Sequence, residues 1–161
     1  MSNLSHVFLC IDLNIHACEQ LILIQEQLGQ IILEAGATPK WVLPEHLHLS
    51  LKHLGPIDRG ILRPLQDTLR NALSSIPPFK LTAQHIRAFP SGQAPRLLYA
   101  QITQGEAPLL HLRAAVEDAL DQLGLPRDAK PFQPHITLGR VRTPTTPIDL
   151  NDVLHALSDL P

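Results

Sequence analysis

The chain has 161 residues, with 13 Lys and Arg against 15 Asp and Glu, a net charge of −2 and 17% charged residues. That length suits a single domain, and the near-neutral balance excludes both a bulk basic surface for nucleic acid and long charged arms. Two cysteines, Cys10 and Cys18, make neither a disulfide framework nor a structural zinc site. The start of the chain carries no basic leader and no apolar run of membrane length, so a reduced, cytoplasmic protein without a membrane partner is expected.

In chain order, residues 7–13 (VFLCIDL) read as a buried strand. Asn14 is placed to cap the helix that follows. Its apolar stripe is Ala17, Leu21, Ile24, Leu28, Ile31 and Ala35, and Gly36 is its stop. Residues 37–46, with two prolines, read as a connection. Residues 47–55 (LHLSLKHLG) alternate polar and apolar, the mark of a half-buried strand, closed by Gly55-Pro56. Asp58 caps a second helix with Ile61, Leu65, Leu69, Ala72 and Ile76 on its stripe, ended by Pro77-Pro78. Strands at 79–89 and 96–103 enclose a turn, and a third helix runs from Pro108 to Gly124. A loop at 126–131 leads to a strand at 132–140 (FQPHITLGR), and a short helix is expected at 150–157.

The two alternating strands carry the same pattern: His48-Leu49-Ser50-Leu51 and His135-Ile136-Thr137-Leu138. Each histidine shares a strand face with the hydroxyl two residues on, about 7 Å away. Strand, helix, His strand, helix, strand fills 7–89; strand, helix, His strand, helix fills 97–157. The fold expected is therefore α+β, one domain over residues 1–161. It is two-lobed, pseudo-twofold and duplicated, with antiparallel sheets lining a central cleft, helices outside, and the two His strands facing each other across the cleft. The second copy has no counterpart of strand 79–89, so its C-terminal strand is expected to be absent, leaving a sheet edge unpaired.

Histidine takes or gives a proton near neutral pH. Two of them can divide the work, one deprotonating a nucleophile and the other protonating a leaving group. Ser50 and Thr137 can donate hydrogen bonds to the non-bridging oxygens of a phosphate held between them. Neither a nucleophilic triad nor a metal is required, and the spacing is satisfied by either assignment of acid and base.

At these residues the chain resembles the 2H phosphoesterase superfamily, named for two H-x-[ST]-φ motifs. It is most similar to the bacterial and archaeal RNA 2′,3′-cyclic phosphodiesterases, also called RNA 2′,5′-ligases. Their first motif commonly reads PENLHLTLKFLG, against PEHLHLSLKHLG at 44–55; their second commonly reads PHITLGR, unchanged at 134–140. The Trp41-Val42 lead-in fits as well. Ser50 replaces the commoner threonine, and His6 stands near a frequent arginine. The resemblance implies cofactor-free, metal-independent opening of an RNA-terminal 2′,3′-cyclic phosphate to a 2′-phosphate, with His48 as proton donor and His135 as proton acceptor. It also implies ATP-independent 2′,5′ ligation by the same groups. The implied partner is RNA with a cyclic phosphate end, tRNA halves among the candidates, and the default assembly is a monomer.

Other readings weigh differently from residue to residue. A lone histidine on a strand is usually a surface or satisfied core residue; the matched pair reverses that for His48 and His135. Lys52 shares their parity and could meet a phosphate, or simply be solvated. His46 also shares it, which raises a His-x-His metal pair, though no third ligand is evident. Simple parity sends Arg140 to the face opposite Thr137 unless a bulge intervenes. Phe8, Phe132 or Tyr99 could stack a terminal base, with core packing the commoner fate. Alternative functions are another 2H activity, on 2′,5′-oligoadenylate or a small nucleotide cyclic phosphate, and a non-catalytic RNA-end-binding module.

Overall fold

A computed structural model describes residues 3–142, 149–151 and 154. Over residues 3–142, strands and α-helices occur in the order β1 (Leu4–Asp12), α1 (Ile15–Glu34), β2 (Thr38–Trp41), β3 (His48–Asp58), α2 (Leu62–Leu73), β4 (Thr82–Phe89), β5 (Leu97–Gln104), α3 (Glu106–Gln122) and β6 (His135–Arg142). The strands are hydrogen-bonded in the order β1-β3-β6-β5-β4, with β2 also on β6. The registered pairs of β6 with β2, β3 and β5 are all antiparallel. Among the described residues no helix is long and apolar enough to cross a membrane. The helix expected at 150–157 lies mostly outside the described residues.

Contacts divide the chain into two compact units, each drawing on both sequence copies. Unit 1 takes Met1–Cys10, Ser50–Thr82 and Gln104–Pro134. Its core is Leu65 of α2 with Val116 and Leu120 of α3, flanked by Leu9, Leu54, Leu69 and Leu73. The β1 run expected to be buried alternates between exposed and half-buried instead. Asp58 does cap, but its carboxylate accepts from Gly60 N–H in a 3₁₀ turn, Arg59–Ile61, that precedes α2.

Unit 2 takes Ile11–Leu49, Ala83–Thr103 and His135–Pro161. Asn14 caps α1 as expected, accepting from Ala17 N–H at 2.8 Å. The helix stops at Gly36, whose φ of +86° suits glycine. The stretch read as a connection contains β2, which pairs with β6 from Thr38↔Arg142 to Trp41↔Gly139. The indole of Trp41 explains why. It lies against Gly29 of α1 and Gly139 of β6, where an added Cβ would come within 3.3 and 2.6 Å of it. Glycine at both positions lets helix, indole and strand approach closely.

Candidate active site

Both motifs sit on strands whose burial alternates as their period predicts. Leu49 and Leu51 of β3, and Ile136 and Leu138 of β6, are buried. His48, Ser50, His135 and Thr137 are half-exposed on the other face. The two motif strands, expected to face each other across a cleft, are ladder neighbours: Leu49 and Ile136, the middle residues of the motifs, are antiparallel partners. One step along that ladder sets His48 beside Thr137.

His48 Nδ1 lies 2.5 Å from the carbonyl oxygen of His46. A carbonyl only accepts, so Nδ1 carries the proton and donates it. His46 itself belongs to a 3₁₀ turn, Pro44–His46, ahead of the strand. The His46/His48 face expected from strand parity is therefore replaced by a backbone contact. Among the described residues no three His, Cys, Asp or Glu side chains are grouped to hold a metal ion.

Strand β5 serves as a ruler for β6. Gln101, Tyr99 and Leu97 follow one another at two-residue steps on one face, and their partners are His135, Thr137 and Arg140. Where β5 advances two residues, from Tyr99 to Leu97, β6 advances three, so a bulge lies at Leu138-Gly139. Arg140 is thereby returned to the face of His135 and Thr137, and is exposed there. The tyrosine ring of Tyr99 stands edge-on to His135, centroids 5.3 Å apart. Of the three aromatics considered for stacking, Tyr99 is the one beside a motif histidine. Phe8 neighbours His53, and Phe132 lies beneath Arg113.

The bulge is braced from α1. The Leu138 carbonyl accepts from Val42 N–H and from the Gln25 side-chain amide, both at 2.9 Å. The same amide donates to the Val42 carbonyl at 3.0 Å. Gln25 is 5% exposed. The sequence signal for it was a glutamine at helical spacing between Leu21 and Leu28, on an otherwise apolar stripe.

Lys52 lies in the interior of unit 1, with its side chain 3% exposed. Its ammonium is 2.7 Å from Glu117 Oε1 and donates to the Pro126 carbonyl at 2.7 Å. Arg113 pairs with the same carboxylate oxygen, reaches Asp128 at 2.5 Å and donates to the Leu51 carbonyl at 2.6 Å. Burial pushes the Glu117 carboxyl up, but the Lys52 hydrogen bond and the charges of Arg113 and Lys52 outweigh it and hold the group below its ordinary value. Glu117 Oε2 is buried with no hydrogen-bond partner among the described residues.

The 2′-5′ RNA ligase superfamily matches the chain over residues 9–161. The RNA 2′,3′-cyclic phosphodiesterase of Methanothermobacter thermautotrophicus is 27% identical over 153 residues, covering 95% of this chain and 80% of the relative. That of Archaeoglobus fulgidus is 32% identical over 121 residues, covering 74% of this chain and 66% of the relative. Among solved structures, a Thermus thermophilus protein superposes with a TM-score of 0.71 at 26% identity, over 89% of this chain and 78% of that one. The matched span includes both histidine motifs and the strands that pair them, and the chain belongs to the 2′-5′ RNA ligase superfamily, the 2H phosphoesterases.

Proposed function

We propose that this protein opens the 2′,3′-cyclic phosphate at an RNA end to a 2′-phosphate, by acid–base catalysis between His48 and His135 and without a metal. The observation that carries the reading is the Leu49↔Ile136 pairing, which brings the two motifs together at their centres. Water attacks phosphorus while His135 takes its proton. The bond from phosphorus to O3′ breaks, and His48 Nε2 gives O3′ a proton. Thr137 and Ser50 donate to the non-bridging oxygens as their charge grows. With a 5′-hydroxyl in place of water, the same proton transfers join two RNAs by a 2′,5′ linkage, and the strained cyclic ester supplies the driving force that ATP would otherwise give.

Lys52 enters this reading as the anchor of β3, because its ammonium is already committed to Glu117 and Pro126. The names of the relatives support the substrate class. The test is a short RNA ending in 2′,3′-cyclic phosphate, incubated with EDTA, with the product end identified. A 2′-phosphate is expected. A 3′-phosphate, or loss of turnover in EDTA, overturns the mechanism; turnover of 2′,5′-oligoadenylate alone moves the protein to a different 2H activity.

A further inference from the structure

The face that carries His135 and Thr137 is continued by cations. Arg140 and Arg142 follow on β6, both exposed. Across the β2–β6 ladder Arg140 faces Lys40 and Arg142 faces Thr38, and these two are exposed as well. Like charges directly opposed destabilise a strand pair. Among the described residues Lys40, Arg140 and Arg142 form no ion pair to relieve it. Strands β2, β4, β5 and β6 hold Lys40, Arg87, Arg140 and Arg142 and no Asp or Glu. Yet across the whole chain acids outnumber bases, 15 to 13.

Edge lysines discourage unwanted strand addition, and that would account for Lys40 alone. It does not account for Arg140 and Arg142, which lie on a strand paired on both sides. The segregation costs the sheet stability and fits an anionic ligand. From His135 to Arg142 the strand covers about 20 Å, more than one phosphate needs. Tyr99 is half-exposed on the same face, and Phe89 at the end of β4 is 62% exposed. Cations that follow a backbone, with aromatic faces beside them, hold single-stranded nucleic acid without reading its sequence.

We propose, building on the cyclic phosphodiesterase reading, that β6 and β2 form a track for the phosphates of the RNA strand upstream of its cyclic end, with Lys40 and Arg142 as the outer cations. The protein then selects an oligonucleotide over a mononucleoside cyclic phosphate through contacts remote from the reacting bond.

The test uses the double variant Lys40→Gln/Arg142→Gln and a fluorescent RNA of about ten nucleotides ending in a 2′-phosphate. Fluorescence anisotropy should show binding weakened by about tenfold or more, and a salt dependence shallower by roughly 1.4 in log Kd against log salt, two phosphate contacts' worth for a single strand. Lys80→Gln/Lys130→Gln removes the same charge from exposed positions of unit 1 and should leave binding as it was. In turnover, kcat/KM for the oligonucleotide cyclic phosphate should fall far more than that for a mononucleoside 2′,3′-cyclic phosphate. Equal binding by wild type and double variant, or an equal loss with the control pair, overturns the track. Weakened binding in the double variant without any opening of the cyclic end would uphold the track and sink the activity.

Discussion

Leu97 and Arg140 are ladder partners, although Tyr99, two residues along β5, partners Thr137, three residues back along β6. That single unmatched residue brings an arginine onto the face of the proposed phosphate ligands. It makes the strand's register as important to the site as the identity of its side chains.

Removing either histidine should abolish most of the turnover. His48→Ala and His135→Ala are each expected to lower kcat by about 10²–10⁴-fold, with circular dichroism unchanged. The pH profile of kcat/KM separates the roles. Without the proposed acid, His48, the fall at high pH should disappear; without the proposed base, His135, the fall at low pH should. The opposite pattern would exchange the two assignments.

The hydroxyls should matter less than the rings. Thr137→Ala and Ser50→Ala are each expected to cost on the order of 10–1,000-fold in kcat, and Thr137→Ser should recover most of the loss. A purely structural threonine would instead be replaced best by valine, so Thr137→Val is the informative comparison.

Gln25 offers a test of the bulge without touching the site face. Gln25→Leu removes one of the two donors to the Leu138 carbonyl and the side-chain donor to the Val42 carbonyl, hydrogen bonds worth about 0.5–1.5 kcal/mol each in net stability. Urea denaturation should show a lower midpoint at unchanged slope. If the midpoint does not move, the amide is not what braces the bulge.

Acid should weaken unit 1 through Glu117. Its folded pKa is lowered, so the stability it contributes is complete above the ordinary carboxylate range and is lost as pH falls through the folded value. Thermal melts taken from pH 7 downward should therefore converge for wild type and Glu117→Gln. At neutral pH the variant leaves Lys52 and Arg113 buried beside a neutral amide, a loss of roughly 3–5 kcal/mol. Melts that remain parallel down to strong acid would remove Glu117 from this role.

Local signals in the sequence were legible where local physics decides. The cap at Asn14, the stop at Gly36 and the alternation of both motif strands were all readable from neighbours in the chain. β2 was not. Thr38-Pro39-Lys40-Trp41 has no strand pattern of its own and becomes a strand because β6 and the Trp41 pocket accept it. The face of Arg140 hangs on a bulge, which is a relation between two strands and not a property of one. The fate of Lys52 turned on Glu117, 65 residues further along the chain. Strand parity says nothing of what a long side chain will find, and Lys52 is buried where His48 and Ser50 are half-exposed. β3 likewise runs past Gly55-Pro56 to Asp58.

β6 is hydrogen-bonded to β5 along one edge and to β2 and β3 along the other. A strand held on both edges exposes its amides only when the surrounding structure opens with it. Backbone amides from His135 to Arg142 should therefore be among the slowest in unit 2 to exchange with deuterium. His135 and Thr137 then ride on a backbone set before any ligand arrives, and adjustment to a ligand falls to side chains and loops outside the ladder.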